Sequence, residues 1–217
     1  MKNFITIEGI DGCGKSTLLD FIKHDIENRG YSIESAKEIN NMHFHASRSL
    51  EELKKLIWPP EDWKSYAHVM PREYWMYLQA AWYTVQSEHF YKPSLKAHKK
   101  IITDGWVYKF MAKLAVDGFP SELINSVFSN VAKPDLVVML DVAPDVIYQR
   151  KRGFSAYEKG SMIGDISNDG DSFISYQKQV RSALIKQANL HGWCILSVDQ
   201  NETPAVTAHR FFQLLKI

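Results

Sequence analysis

Cysteine is scarce in this sequence, which has only Cys13 and Cys194 among its 217 residues. Two cysteines cannot build the disulfide framework of a small secreted domain, and neither belongs to a CxxC metal spacing. The N-terminal segment MKNFITIEG lacks the apolar length of a signal peptide or a membrane-spanning helix. These absences predict a soluble protein of a reducing cytoplasm, with no membrane partner.

The sequence also lacks an excess of charge of either sign. Its 26 Lys and Arg residues nearly balance 25 Asp and Glu residues, for a formal net charge of +1 at pH 7. Such a balance gives no overall field that would collect nucleic acid, so we expect no nucleic-acid partner. With 45% hydrophobic residues and no internal repeat, residues 1–217 are expected to form a single domain with a substantial core.

One glycine-rich segment predicts a phosphate-binding loop. GIDGCGKS, from Gly9 to Ser16, fits GxxxxGK[ST] and stands between a strand-like run and an amphipathic helical pattern. Such glycines let backbone N–H groups surround a phosphate, while the lysine adds charge on the β and γ phosphates and the serine holds Mg²⁺. The expected nucleotide-binding residues are Gly9, Asp11, Gly12, Cys13, Gly14, Lys15, Ser16 and Thr17.

Strand-like and helical patterns alternate along the chain, which predicts an α/β fold with a parallel sheet and helices on both faces. Five strand-like runs are expected, at 4–8, 31–38, 99–104, 134–141 and 193–198. Glu8, Asp104 and Asp141 end three of them, at the sheet edge where such folds bind ligands. A long aromatic helix is expected from Pro71 towards Ala97, and the weakly patterned segment 153–171 is expected to be a mobile loop.

Four segments resemble the thymidylate kinase family. FITIEGIDGCGKST, IITDG, KPDLVVMLDVAPDVIYQRKRG and YEKG occur in the order and at the approximate distances of FIxxEGxDGxGKST, DR[YH], PDLxxxLDVxPExxxxR and an Arg-rich lid. The resemblance covers nearly the whole chain. It implies a P-loop kinase fold with a three-layer, five-stranded sheet, MgATP as phosphoryl donor, a small nucleotide as acceptor, and a homodimer formed through long helices.

By position, the resemblance assigns Asp11 to the acceptor sugar's 3′-hydroxyl and Asp104 to Mg²⁺ or the acceptor phosphate. Glu8 falls in the magnesium and water network, and Trp106 occupies the third DR[YH] position, beside the substrate. Two structural alternatives stand beside these roles: Asp11 as a loop-stabilising residue and Asp104 as a helix N-cap. Asp141 ranks below Asp104, because that position is usually structural in the family.

Two arginines before the lid, Arg150 and Arg152, are predicted to be catalytic. The P-loop carries no arginine. In this respect the sequence resembles the family members whose lid supplies the arginine instead. By that analogy Arg150 lies near the adenine and Arg152 near the phosphates. The alternative is simple charge complementarity at a helix C-terminus. The lid itself departs from the family pattern, because a second lid arginine is missing.

Departures from the family concern the acceptor. Gly105 replaces the DR[YH] arginine, and Arg48 and Arg72 are candidates to replace its contact with the acceptor phosphate. Glu38 is expected near the sugar or the magnesium.

On the aromatic helix, Gln79 stands at the thymine-stacking position and Tyr83 at the O4-reading position. These two residues share a helical face with Trp75 and Gln86, a surface suited to a base. The alternative is a plain core stripe with Gln79 solvated.

Three functions are compatible with these motifs. The leading one is transfer of the γ-phosphoryl group of MgATP to a nucleoside 5′-monophosphate, with an altered pyrimidine acceptor. A nucleoside kinase is favoured by the loss of the DR[YH] arginine, since a neutral hydroxyl needs no phosphate contact. A non-catalytic nucleotide-binding protein is disfavoured by the intact Lys15, Ser16 and Asp104.

Overall fold

The computed structural model describes residues 2–38, 42–58, 69–150, 156–160 and 170–215. Arg152 and most of the predicted lid loop, 153–171, lie outside these residues.

A parallel sheet organises the described chain. Its strands are β1 (Phe4–Glu8), β2 (Tyr31–Ser35), β3 (Lys100–Asp104), β4 (Leu136–Asp141) and β5 (Cys194–Ser197). They lie in the order β2-β3-β1-β4-β5, and every neighbouring pair is parallel. The predicted five-stranded parallel sheet is therefore confirmed. Because Ile7 lies opposite both Asp104 and Val138, the carboxyl ends of the three central strands meet at one edge.

Helices connect successive strands, since parallel strands need crossover connections. They are α1 (Lys15–Asn28), α2 (Phe44–Ile57), α3 (Arg72–Gln86), α4 (Lys92–Lys96), α5 (Tyr108–Val116), α6 (Ser121–Val127), α7 (Pro144–Arg150), α8 (Gly170–His191) and α9 (Pro204–Leu215). A π-helical turn, Ser87–Tyr91, joins α3 to α4, so the aromatic helix runs as far as expected. A short 3-10 turn spans Ala156–Lys159.

Apolar side chains cover both faces of the sheet. Ile5 and Ile7 of β1 belong to one buried cluster, which also holds Leu184 of α8 and Phe211 of α9. Phe4 belongs to a second cluster on the α3 and α5 side; its other large members include Trp82, Trp106 and Phe110. Successive side chains of β1 therefore point into two apolar layers, one on each face of the sheet, as the three-layer architecture requires. Among the described residues, no helix is both long enough and apolar enough to cross a bilayer.

Candidate active site

The turn between β1 and α1 has the backbone geometry of a phosphate-binding loop. Gly9, Gly12 and Gly14 have φ angles of 150°, 80° and 96°, a region that disfavours side chains. A Cβ atom on Gly9 would lie 2.6 Å from both Cys13 Sγ and the Leu140 carbonyl oxygen. Cys13 is buried, so its small side chain packs inside the loop. The loop leads directly into the N-terminus of α1, where Ser16 and Thr17 are exposed.

Lys15 lies folded against this loop. Its Nζ donates to the carbonyl oxygens of Gly9 at 3.1 Å and Ile10 at 3.2 Å, and it lies 3.5 Å from Cys13 Sγ. The ammonium is held by neutral acceptors rather than by a carboxylate in these contacts. The ammonium can therefore move from these carbonyl oxygens to an incoming phosphate without breaking an ion pair.

Ser16 and Asp104 meet across the sheet edge. The Ser16 hydroxyl donates to Asp104 Oδ2 at 2.6 Å. Hydroxyl and carboxylate oxygens are ligands that Mg²⁺ accepts alongside phosphate oxygens and water, so this pair fits the metal of a bound MgATP. Groups of three or more His, Cys, Asp or Glu that could hold a metal alone are absent from the described ranges. The N-cap alternative for Asp104 is wrong, because Val107 caps α5 and no side chain bonds that helix end.

Glu8 is a fully buried carboxyl group behind this pair. Its Oε1 accepts a hydrogen bond from the Trp106 N–H at 2.7 Å, while Oε2 has no hydrogen-bond partner in the described part of the chain. Burial raises the pKa of Glu8, although the Trp106 N–H and the charge of Lys15 oppose that shift. Glu8 therefore keeps a spare acceptor atom next to the expected metal and phosphate positions.

Asp11 is held by two lysines that the sequence analysis missed. Lys109 Nζ lies 2.6 Å from Asp11 Oδ1, and Lys113 Nζ lies 2.7 Å from Asp11 Oδ2. Burial alone would raise the pKa of Asp11, but the two lysines bring it well below its usual range. Burial lowers the pKa of Lys113 to about 8. The missed signal was the four-residue spacing, which puts two cations on one face of an otherwise largely apolar helix.

Gln177 of α8 connects Asp11 to the described turn of the lid. Its Nε2 donates to the Glu158 carbonyl at 2.7 Å and lies 3.4 Å from Asp11 Oδ2, and the Asp11 N–H donates to its Oε1 at 3.4 Å. Gly160 packs so closely that a Cβ atom there would lie 2.6 Å from the Tyr176 ring. A lone glutamine on a long amphipathic helix has no spacing signature, so the sequence held no signal for Gln177.

At the far end of the sheet edge, Arg150 borders the turn after β5. Its Nη2 donates to the Asp199 carbonyl at 3.0 Å and also to the Gln200 carbonyl. Asp141 instead forms a two-point ion pair with Arg181, at 2.5 and 2.8 Å. Asp141 therefore has a structural partner, in keeping with its lower rank.

The α3 face expected to bind the base is largely buried. Trp75, Gln79 and Tyr83 are 6%, 4% and 8% exposed, so the expectation of a solvated Gln79 is wrong. The core-stripe part of that alternative agrees with the structure, because Trp75 and Trp82 are buried and Leu78 and Val85 pack against the same core. Burial, and next the charge of Glu8, raise the pKa of the Tyr83 hydroxyl. Gln86 is committed elsewhere, since its Nε2 donates to the Ala36 carbonyl at 2.9 Å.

Trp106 is divided between the site and the core. Its backbone N–H bonds Glu8, as described above, but its indole Nε1 donates to the Ala132 carbonyl at 2.9 Å. The ring stacks edge-on against Phe4 and Tyr83 and is 2% exposed. Trp106 therefore contacts Glu8 through its backbone, whereas its ring contacts Tyr83 of the expected base-binding face.

The two arginines proposed to replace the DR[YH] cation are engaged or exposed elsewhere. Arg72 donates to the Asp117 carbonyl and lies over the Phe119 ring, at the turn after α5. Arg48 is exposed on α2, and Glu38 is exposed beyond β2. Within the described chain, neither arginine has a hydrogen bond or ion pair to Asp11 or Asp104. Gly105 has a φ of 75°, with open space where a Cβ atom would lie.

Comparison with known proteins identifies the family of this chain. The family model for thymidylate kinase matches residues 7–202. A probable thymidylate kinase of Archaeoglobus fulgidus is 24% identical over 189 residues, which cover 85% of this chain and 82% of the relative. The thymidylate kinase of Protochlamydia amoebophila is 24% identical over 217 residues, covering 98% and 92%. The family match spans most of the chain, and the protein therefore belongs to the thymidylate kinase family and is an ATP-dependent nucleotide kinase.

Proposed function

We propose that this protein transfers the γ-phosphoryl group of MgATP to the 5′-phosphate of a pyrimidine nucleoside monophosphate. The observation that carries the proposal is the Ser16–Asp104 hydrogen bond of 2.6 Å beside Lys15 and the glycine loop. A loop that bound a phosphate only for structural reasons would not need this oxygen pair at the sheet edge.

In this mechanism the protein contributes position and charge more than covalent chemistry. The loop N–H groups and Lys15 bind the β and γ phosphates. Ser16 and Asp104 would hold the Mg²⁺ ion of MgATP, which would supply positive charge to neutralise the charge that develops on the transferred group. Glu8, with its spare Oε2, orients water or an acceptor group beside them.

Asp11 is proposed to accept a hydrogen bond from the acceptor sugar. Its carboxylate is fixed by two lysines and kept ionised by them, so it stays an acceptor at neutral pH. Its link through Gln177 to the Glu158 carbonyl would make lid position depend on the sugar site.

The lid arginines are proposed to act on the phosphates. Arg150 borders the β5–α9 turn, where it would pack beside the ATP base. Arg152 follows two residues later in the sequence and would meet charge on the transferred phosphoryl group.

The acceptor base is proposed to be a pyrimidine other than thymine, because the two residues that contact thymine in the family are replaced in this protein. Gln79 and Tyr83 stand at the positions that the resemblance assigns to stacking and O4 reading, and both are buried. Lost hydrogen bonds to a substrate edge cost about 1 to 3 kcal/mol each, so thymidine monophosphate is expected to be a weak substrate. In the double variant Gln79→Phe and Tyr83→Arg, kcat/KM for thymidine monophosphate should rise relative to kcat/KM for other pyrimidine monophosphates. Efficient thymidylate turnover by the unmodified protein would contradict the altered acceptor.

A coupled ADP-release assay with matched panels of nucleosides and nucleoside monophosphates tests the proposal. Turnover with a pyrimidine monophosphate, lost in Lys15→Ala, is the expected result. Turnover with nucleosides alone would identify a nucleoside kinase, and no acceptor-dependent ADP release from any panel member would favour a non-catalytic protein.

A further inference from the structure

A buried threonine next to the expected metal site makes hydrogen bonds that the proposed chemistry does not use. Thr103 of β3 is 0% exposed, and its hydroxyl donates to the Gly105 carbonyl at 2.9 Å. The Tyr91 hydroxyl lies 3.4 Å from Thr103 Oγ1. Because a carbonyl oxygen only accepts, the single hydroxyl proton of Thr103 is committed to Gly105, and Tyr91 is the donor to Thr103. The hydrogen bonds therefore run in one direction, from Tyr91 through Thr103 to Gly105.

The peptide group between Gly105 and Trp106 is held on both sides. Its carbonyl accepts from Thr103, and its N–H, which belongs to Trp106, donates to Glu8 Oε1 at 2.7 Å. The Gly105 N–H donates to the Ile7 carbonyl at 3.0 Å. Gly105 has a φ of 75°, which a residue with a side chain rarely adopts, so glycine allows its carbonyl to turn back towards Thr103. Rotation of this peptide would break the bonds to Thr103 and Glu8 together.

Asp104, the last residue of β3, directly precedes this fixed segment. Its Cα lies opposite Ile7 in the sheet register, and its carboxylate accepts from Ser16 at 2.6 Å. A carboxylate can keep such a short contact only while the backbone that carries it stays in place. The bonds that hold Gly105 therefore also limit how far the Asp104 carboxylate can turn away from Ser16.

Burial of a strand threonine does not by itself produce such a chain of hydrogen bonds. Thr6 of β1 lies directly opposite Thr103 and is also 0% exposed, but its Oγ1 has no hydrogen-bond partner in the described part of the chain. Tyr91 makes the difference, since it ends the π-helical turn and is fixed by ring contacts with Phe4 and Trp106, at 5.1 and 4.3 Å between centroids. Such turns are frequent near functional sites.

We propose that Thr103, oriented by Tyr91, is a positioning residue for the metal-binding edge of the active site. Its hydroxyl fixes the peptide after Gly105 and so keeps Asp104 opposite Ser16. This inference rests on the proposed function, in which these two oxygen ligands hold the Mg²⁺ ion of MgATP. It adds the residues that keep the ligand pair in place before the nucleotide binds.

Nucleotide binding with and without the metal tests this role. Calorimetry gives the dissociation constants of a non-hydrolysable ATP analogue in Mg²⁺ and in EDTA, and their ratio isolates the metal contact from the contacts of the glycine loop. Thr103→Val keeps the shape of the side chain and removes its hydroxyl. In this variant we expect the factor by which Mg²⁺ strengthens binding to fall by about 10-fold, with metal-free affinity unchanged. Thr103→Ser should retain the factor, and Tyr91→Phe should lower it less, because the bond to Gly105 remains.

Amide hydrogen exchange of the nucleotide-free protein gives a second readout, which does not involve the metal. In Thr103→Val the Trp106 N–H should exchange about 10-fold faster relative to the Ile102 N–H, because its peptide can rotate away from Glu8. The Ile102 N–H lies inside β3 and reports any loss of global stability. Thr6→Val is the matched control. It removes a buried strand hydroxyl that has no hydrogen-bond partner among the described residues, so both readouts should keep their wild-type values.

The positioning role is overturned if Thr103→Val keeps either the wild-type effect of Mg²⁺ or the wild-type relative exchange rate of the Trp106 N–H. It is also overturned if Thr6→Val changes both readouts as much. Should Thr103→Val fail to fold, wild-type values of both readouts in Tyr91→Phe would overturn it instead. Failure of the proposed function has a different signature, because it appears in the wild-type protein, as ATP binding that does not respond to Mg²⁺ or as no phosphoryl transfer to any monophosphate.

Discussion

Replacing Lys113 with methionine should change how the protein's stability depends on pH. Lys113 is 2% exposed and lies 2.7 Å from Asp11 Oδ2, and burial lowers its pKa from 10.5 to about 8. Between these two values the unfolded chain holds a proton that the folded protein has released. Stability contributed at this position therefore rises with pH over that window.

The magnitude follows from the size of the shift. Each pKa unit corresponds to about 1.4 kcal/mol, so a shift from 10.5 to about 8 corresponds to about 3 kcal/mol in total. About 2 kcal/mol of that change falls between pH 7.5 and pH 10. Lys113→Met removes the titrating group and keeps an unbranched chain of similar length. The stability of the wild type relative to the variant should thus increase by about 2 kcal/mol across this range.

Urea denaturation of both proteins at pH 7.5 and pH 10 provides the measurement, because tyrosine and surface-lysine titrations cancel in the difference. Lys186→Met, at an exposed lysine on α8, is the matched control and should show no such trend. If the difference in unfolding free energy between wild type and Lys113→Met does not depend on pH, burial does not lower the pKa of Lys113 beside Asp11, and this account of the Asp11 site is wrong.

Three other changes have defined outcomes. Lys15→Ala should abolish phosphoryl transfer with an unchanged circular dichroism spectrum; normal kcat in a folded variant would contradict the kinase mechanism. Arg152→Ala should lower kcat by about 100-fold or more with little change in ATP affinity, whereas Arg150→Ala should weaken ATP binding, and wild-type kinetics in both would remove the lid assignment. Burial raises the pKa of Asp117 to about 6, so the folded protein loses stability as pH rises and this carboxyl group ionises. Asp117→Asn should raise the unfolding free energy by about 1 to 3 kcal/mol at pH 7.5 and leave it unchanged below pH 4. Denaturant titrations at the two pH values provide the measurement.

The sequence predicted the scaffold well because its signals are local. The Gly9–Ser16 spacing located β1 and α1, and the amphipathic pattern after it forms the helix Lys15–Asn28. Apolar strand runs ending in acidic residues located the sheet edge, which brings Ser16 within 2.6 Å of Asp104. Each of these signals depends on residues within a few positions of one another.

The acceptor side was harder to predict, because its contacts join distant parts of the chain. Asp11 and Lys113 are 102 positions apart, and Asp11 and Gln177 are 166 apart. No pattern within α5 says which strand end its lysines will face. The resemblance to the family also directed attention to the missing arginine at Gly105 and to distant arginines, rather than to the lysines on the following helix.

The central claim is that MgATP and a pyrimidine nucleoside monophosphate react at the Lys15, Ser16 and Asp104 edge of the sheet. Phosphorus NMR of the protein with MgATP and a panel of pyrimidine monophosphates tests this most directly, because it identifies the phosphorylated product. The account predicts ADP together with a new nucleoside diphosphate, and neither product in Lys15→Ala. Release of inorganic phosphate without any new diphosphate, or unchanged product formation in Lys15→Ala, would contradict it.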